Sequence, residues 1–598
     1  MRYASDLPQG LHIVLSDTNQ GKETVLPVRL LPPGENQVRV DVDAPLADVA
    51  PGLVPRPVEA ESPAKRSGGD GFALFGGGTL QVIAWSSKAE ASAAQLEAWA
   101  AAWPKGGPLA AAAPAGSGQR QPPPGRDLIL AEAAEAGDRE WLGAEGYELT
   151  IGSEEIRIVA AGPDGFHRGA ASLRQLLGVA HNEGRPAAPP IRVRDRPRFE
   201  YRGVMLDAGR HFFPVAFVKR LLHWMYLYKL NVFHWHLTDD EGWRLEVKAL
   251  PNLTLFGAWR GRGEVVEPQY GGGPGRTGGF YSHEDVREVV SFAAQRGIVI
   301  VPEVDVPGHC YAAIRALPGL LGVRRAIGGP VSVQGFRGNV LDPAAEGTYI
   351  FLEAVFAEVA ELFPAPLGVH IGMDEIPRGA WSDDEDEERV LKARVAAWLQ
   401  RFLAVRGKSL LGWEEAFYGE GLNPNLEPRA VALAWKEDER FAVRAAGAGF
   451  DVVLCPAHFL YLDLVSTTHW EDRGLYWAAP TLPLERVYAY EPMERLARLG
   501  LAESAKVRVR GVQANLWGET VATPERAEEM LFPRLLAAAE VAWSSASRRD
   551  WDDFHWRLSP QLAWLEREEG LRGYGQSCGI LTAGHFLRVP KMSESQLV

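Results

Sequence analysis

Between about Pro197 and Trp543, short apolar runs alternate with amphipathic stretches, and this alternation constrains the fold more than anything else in the chain. Eight runs read as strands: YRGVMLD, KLNVFHWHLTD, GIVIVPEVD, LGVHIGMDE, KSLLGWEE, AVALAW, DVVLCP and VRGVQANLW. Helical patterns fit between them, such as PVAFVKRLLHWMYLYK after the first. Apolar strands separated by helices mark βα units, whose parallel strands are buried on both faces. Eight such units in about 350 residues predict an α/β fold, a TIM (β/α)8 barrel with long loops. The second strand leads into a Gly-rich loop, RGRGEVVEPQYGGGPGRTGGF, after which Ser282 is placed to cap a helix. Glu284 and Asp285 fall in its first turn, where the helix dipole favours acids.

The flanking regions differ in pattern. Residues 1–103 form a β-rich N-terminal region with a helical connector from Ser87 to Trp103. Residues 104–126 are Pro/Gly/Ala-rich and cannot bury a core, so they read as a linker or loop. Residues 127–196 run strand, strand, strand, helix, a small α+β module. The barrel occupies 197–543, and 544–598 is a C-terminal extension whose helical stretch is SPQLAWLEREEGL.

Composition narrows the functional classes. The chain is 46% apolar and 23% charged, typical of a globular protein with ample core. A net charge of -14 without a basic cluster argues against a nucleic-acid partner. No stretch approaches the ~20 apolar residues of a membrane span. Cys310, Cys455 and Cys578 are too few and scattered for a disulfide framework or a zinc site. The N-terminal sequence lacks the pattern of a signal peptide, so the expected setting is cytoplasmic.

A barrel's chemistry sits at the C-terminal ends of its strands. Every predicted end carries polar or indole groups: Asp207 and Arg210; His234, His236, Asp239 and Asp240; Glu303, Asp305 and His309; His370, Asp374 and Glu375. The later ends give Trp413, Glu414 and Glu415; Trp435; His458, Tyr461 and Asp463; and Asn515, Trp517 and Glu519. Asp374 and Glu375 stand side by side where an apolar strand gives out, and lost solvation pushes such carboxyls up toward working pH. Two of them can divide labour, one moving a proton and the other holding a fixed charge. Indoles converging from three strands form a slot suited to the apolar faces of a sugar. Carboxylates and Arg210 suit its hydroxyls.

The segments DRPRFEYRGVMLDAGRHFFP, LNVFHWHLTDDEGWR, PEVDVPGH, HIGMDE, GWEEA and LWGE resemble, in this order, the motifs of glycoside hydrolase family 20 β-N-acetylhexosaminidases. The resemblance spans the barrel and extends to the α+β module, which resembles the family's non-catalytic domain. It implies that Glu375 is the general acid/base and that Asp374 orients the substrate's 2-acetamido group. It further implies that His309 and Asp239 buttress the acid, that Arg210 holds sugar hydroxyls, and that Trp413, Trp435 and Trp517 wall the acetamido pocket. The resemblance likewise implies that Tyr461 donates its hydroxyl to the acetamido oxygen and that Asp463 and Glu519 bind outer hydroxyls. The implied activity is release of terminal GlcNAc or GalNAc with retention. The implied nucleophile is the substrate's own acetamido oxygen, an exception to the two-carboxylate rule. No metal or organic cofactor is called for, and the expected partner is a glycan.

Two rival readings use the same residues. His234 and His236 alternate on one strand and so share a face, as in a metal-dependent amidohydrolase. A carbohydrate-binding pseudoenzyme on the same barrel is the other. Met373 departs from the family, which usually has Gly or Ala there. Strand alternation places Met373 toward the helix layer, opposite His370, Gly372 and Asp374.

Overall fold

The computed structural model describes residues 12–17, 22–27, 53–61, 72–73, 79–84, 110–111, 126–133, 135–152, 155–184, 187–188, 190–261, 275–322, 338–365, 367–419, 421–469 and 472–572. The expected Ser87–Trp103 connector, residues 262–274 of the Gly-rich loop and Cys578 lie outside them.

Seven strands build the sheet that precedes the barrel: β1 (Glu59–Glu61), β2 (Thr79–Ala84), β3 (Ala110–Ala111), β4 (Arg126–Glu132), β5 (Tyr147–Ile151), β6 (Glu155–Ala160) and β7 (Ile191–Asp195). Their spatial order is β1-β7-β5-β6-β4-β2-β3. The sheet therefore begins well before Asp127, where sequence patterning starts the module, and even residues of the expected 104–126 linker supply β3. Helix α1 (Pro163–Asn182) lies across it. Leu149, Ile156, Ile158 and Val193 alternate inward and form a core with Phe166, Leu173 and Leu177 of α1.

The eight strands read from the sequence close into one parallel barrel: β8 (Tyr201–Asp207), β9 (Val232–His236), β10 (Val299–Glu303), β11 (Val369–His370), β12 (Leu410–Trp413), β13 (Val431–Ala434), β14 (Asp451–Leu454) and β15 (Val509–Leu516). Alternation on β9 sorts its side chains between two layers. Trp235 packs on Tyr281 (ring centroids 4.5 Å) outside the barrel, while His234 meets His370 (4.5 Å) inside it. Helix α2 (Val215–Leu227) follows β8, and α3 (His283–Ala294) starts in a capping box between Ser282 and Asp285, as expected. Helices α4 (Glu346–Leu362), α5 (Glu385–Ala404) and α6 (Arg440–Gly447) join the outer layer, and α7 (Arg534–Trp543) closes it. The acidic run after Asp383 is solvent-facing, with Asp384 capping α5 through the N–H of Asp386 (2.8 Å).

The final helix, α8 (Trp551–Arg567), begins earlier than SPQLAWLEREEGL suggests and continues through Pro560. Pro560 resembles a helix start, yet Asp550 caps the true one by accepting from Asp553 N (2.8 Å). The module docks where the barrel strands begin. Glu145 binds Arg202 and Arg168, and Lys229, fully buried, reaches Tyr147 Oη (2.9 Å) and Asp195 (3.0 Å). Asp195 also accepts from the Trp543 indole (3.0 Å). The opposite rim is left to the site.

Candidate active site

At the end of β11 the chain leaves extended geometry at once. Gly372 (φ 67), Met373 (φ 77) and Glu375 (φ 44) are all left-handed. A Cβ at Gly372 would stand 1.9 Å from Asp305 Oδ1, so only glycine fits. Met373 N donates to the same Asp305 oxygen (3.1 Å). The alternation argument for Met373 therefore fails, because the strand has ended before it. Its side chain is nonetheless fully buried in the hydrophobic core.

This turn presents Asp374 buried and Glu375 outward. The Asp374 carboxyl is pushed up to about 6 by burial, with Glu375, Glu415 and Glu303 adding to the effect against His309. Glu375 goes the other way. Its side chain is 45% exposed, and the imidazolium of His309, with Nε2 3.6 Å from Oε2, holds it below the usual carboxylate range. The expectation that lost solvation raises both acids is thus corrected for Glu375: an imidazolium partner outweighs its partial burial. Burial opposes charge on His309, yet Asp239, Asp240 and Glu375 hold its proton well above the usual range. Asp240 is the nearer buttress (3.3 Å to Nδ1, against 3.7 Å for Asp239) and also accepts from Tyr311 N (3.0 Å) and Asn339 Nδ2 (2.9 Å).

Asp239 belongs more to Arg210. Arg210 Nη1 lies 3.2 Å from Asp239 and 3.0 Å from Asp207, and its guanidinium stacks 4.9 Å from the Trp517 ring. Asp207 fixes the next turn as well, accepting from Gly518 N (2.8 Å). Glu519 stands 3.7 Å from Arg210 Nε, and Asp463 accepts from Trp517 N (3.3 Å). Burial and the neighbouring Glu519 push Asp463 up to about 8. Asp374 Oδ1, Asp463 Oδ2 and Glu519 Oε2 are buried with no hydrogen-bond partner among the described residues. Buried acceptors left open at one face suit a ligand that brings its own donors.

The indoles join into one wall. Trp413 meets Trp517 (5.7 Å), Trp517 meets Tyr461 (6.1 Å), and Tyr461 stacks on Trp435 (6.3 Å, 17°). The Trp435 indole N–H donates to Glu415 (3.0 Å). Trp477, unforeseen in the sequence, stands edge-on to both Trp435 and Tyr461 (5.9 Å each) and is 56% exposed at the rim. It follows no strand, so a search of strand ends passes over it. All eleven residues expected at the site thus meet at one end of the barrel, in contacts linking Glu375 through His309, Asp239 and Arg210 to the aromatic wall.

Glu303 was also unassigned. It accepts from the Trp413 indole (2.9 Å) and engages His234 (2.9 Å), His236 (2.6 Å) and His370 (2.9 Å). Ligand-type atoms of His234, Glu303 and His370 lie within 4.8 Å of one another, as do those of Asp239, Asp240 and His309. Glu303 holds both histidines of the HxH pattern, His236 by a hydrogen bond to Nδ1 (2.6 Å) and His234 by a 2.9 Å approach of Nε2, which gives them a role without a metal.

A closed (β/α)8 barrel carrying an Asp–Glu pair, a buried arginine and an indole wall at its strand ends is of the class of barrel glycoside hydrolases. The chain belongs to glycosyl hydrolase family 20: the model of that family's catalytic domain matches residues 199–546, and that of its domain 2 matches residues 50–196. The domain 2 match extends as far back as the sheet does. The β-hexosaminidase of Vibrio furnissii is 42% identical over 404 residues, 66% of this chain and 64% of that protein's length. A β-N-acetylhexosaminidase of Cellulomonas fimi is 35% identical over 462 residues, 73% of this chain and 84% of that protein. The structure of an exo-β-N-acetylglucosaminidase of Vibrio harveyi, in complex with N-acetylglucosamine, superimposes with a TM-score of 0.75 at 35% identity, covering 95% of this chain and 85% of that one.

Proposed function

We propose that this chain is an exo-acting β-N-acetylhexosaminidase that releases terminal GlcNAc or GalNAc by a retaining, substrate-assisted mechanism. The observation that carries the reading is the adjacency of Asp374 and Glu375 on one tight turn, in a pocket walled by Trp413, Trp517, Tyr461 and Trp435. In this reading the acetamido oxygen attacks the anomeric carbon and forms an oxazolinium ion while Glu375 protonates the departing oxygen. Glu375 then takes a proton from water as the ring opens. A preorganised intramolecular nucleophile reaches effective molarities of ~10⁵ to 10⁸ M, so the protein need not supply one. Asp374 holds negative charge beside the acetamido N–H, where positive charge grows.

Glu375 is half-exposed and paired with His309. A bound sugar would cover it, and the lost solvation raises the carboxyl toward the range of a general acid. Arg210, Asp463 and Glu519 take sugar hydroxyls, the last two through the carboxyl oxygens left open in the pocket. Trp413, Trp435 and Trp517 cover the acetamido methyl, Tyr461 donates to its oxygen, and Trp477 extends the aromatic surface toward the leaving group. A glycan is the proposed partner, and a cytoplasmic setting is the proposed one. The test is a panel of chromogenic β-glycosides with and without the 2-acetamido group. Hydrolysis confined to 2-acetamido sugars and blocked by a thiazoline mimic of the oxazoline is expected. Equal rates on plain glucosides, or no hydrolysis at all, would refute the reading.

A further inference from the structure

Beneath the sugar pocket, inside the barrel, Glu303 has no exposed surface and cannot touch a ligand. Its Oε1 accepts from Trp413 Nε1 (2.9 Å) and lies 2.9 Å from His370 Nδ1. Its Oε2 lies 2.9 Å from His234 Nε2 and 2.6 Å from His236 Nδ1. A carboxylate offers about four acceptor positions, and each of these has a nitrogen against it.

The neighbours settle where the protons are. Gln513 Nε2 donates to His234 Nδ1 (3.0 Å), so the His234 proton sits on Nε2 and faces Glu303. His236 presents Nδ1 to Glu303 and Nε2 to Asp239 (3.1 Å). Both partners only accept, so both ring nitrogens carry protons and His236 is an imidazolium. Asp239, held in this way, meets Arg210 at 3.2 Å and His309 at 3.7 Å. Burial works against a charged Glu303, yet the three imidazoles keep its carboxyl well below the usual range.

We propose that Glu303 is a positioning residue for the reaction, fixing the Trp413 indole directly and the Arg210 arm through His236 and Asp239. The proposal rests on the hexosaminidase reading. It explains why charged and polar groups fill the inside of this barrel, where branched apolar residues are the rule. A glutamine at 303 keeps the shape but turns one oxygen into a donor, aimed either at the Trp413 N–H or at the N–H groups of His234 and His236.

The test compares wild type, Glu303→Gln, Trp413→Phe and the double variant on a 4-nitrophenyl N-acetyl-β-glucosaminide, with thiazoline binding measured alongside. Glu303→Gln is expected to lower kcat about 10²-fold, the scale of a misplaced reacting group. Thiazoline affinity should fall in step, and affinity for free GlcNAc much less. The double variant should be no worse than about twofold beyond Glu303→Gln, because both changes cut one link. A kcat for Glu303→Gln within about threefold of wild type, or losses that multiply in the double variant, would overturn the proposal. Should Glu303→Gln fail to fold, ¹⁵N-histidine spectra of the wild type decide: His236 is expected to stay doubly protonated across the active pH range, and a neutral His236 would overturn it. The wild-type rate on the same substrate tests the hexosaminidase reading separately.

Discussion

Asp374 and Glu375 are neighbours in sequence with opposite surroundings, and their expected phenotypes differ accordingly. Glu375→Gln removes the transferable proton. Turnover of substrates with poor leaving groups should fall by about 10²- to 10⁴-fold while binding persists, and unchanged turnover of a chitobiose-like substrate would sink the assignment. Asp374 must be ionised to act, and its carboxyl titrates at about 6 in the free protein. The acid limb of kcat/KM is therefore expected near pH 6, falling as pH drops, and a limb near pH 4 would contradict it. The same shift bears on stability, with the sign reversed from an ordinary salt bridge. A carboxyl raised on folding binds its proton more tightly in the native state, so it costs stability as pH rises from about 4 to 6 and above. Asp374→Asn should thus stabilise the protein at pH 7, by up to about 3 kcal/mol, while greatly slowing turnover of 2-acetamido sugars. Thermal melts at pH 7 and pH 4 check this, since the gain should vanish at the lower pH. The pair itself was legible in the sequence from its place after an apolar run. The lowered Glu375 was not, because its cause is His309, brought in from the loop after another strand.

At the scale of elements, the turn after β11 does the positioning. Two non-glycine residues, Met373 and Glu375, hold left-handed backbone, which costs about 1–3 kcal/mol each unless surroundings impose it. Asp305 and the close approach at Gly372 are what impose it here. Gly372→Ala should therefore lower kcat by about 10²-fold or more with the fold retained. Activity near wild type, measured beside a far-UV spectrum, would contradict this account of the turn. Strand alternation gave the wrong reason for the burial of Met373, because periodicity assumes the strand continues, and β11 has only two residues. Longer elements were readable, since a strand buried on both faces declares itself as an apolar run and α3 announces its capping box. Strands β1 and β3, at three and two residues, are too short for any period to register. Helix α8 was read late because Pro560 imitates a first turn.

Across the whole molecule, the module and barrel share a buried ionic junction at the face opposite the site. Arg202 and Arg168 are almost wholly buried and both depend on Glu145, whose carboxyl they hold at about 2 against the pull of burial. Glu145→Ala leaves two guanidiniums without their acid, and should cost about 3–5 kcal/mol. Denaturant unfolding followed by tryptophan fluorescence checks the loss, and the variant's kcat at low temperature should stay near wild type, because the junction lies away from the site. The order of barrel strands and the class of the site were legible because chemistry at every strand end recurs in chain order. The junction was not, since its charges come from segments far apart in the chain and look like surface residues one by one. What joins these scales is a nucleophile the protein does not own, and a series of N-acyl substrates tests it most directly. With N-acetyl, N-fluoroacetyl, N-difluoroacetyl and N-trifluoroacetyl β-glucosaminides, kcat/KM should fall steadily as fluorine withdraws electrons from the attacking oxygen. A flat series would place the nucleophile on the protein and contradict the account.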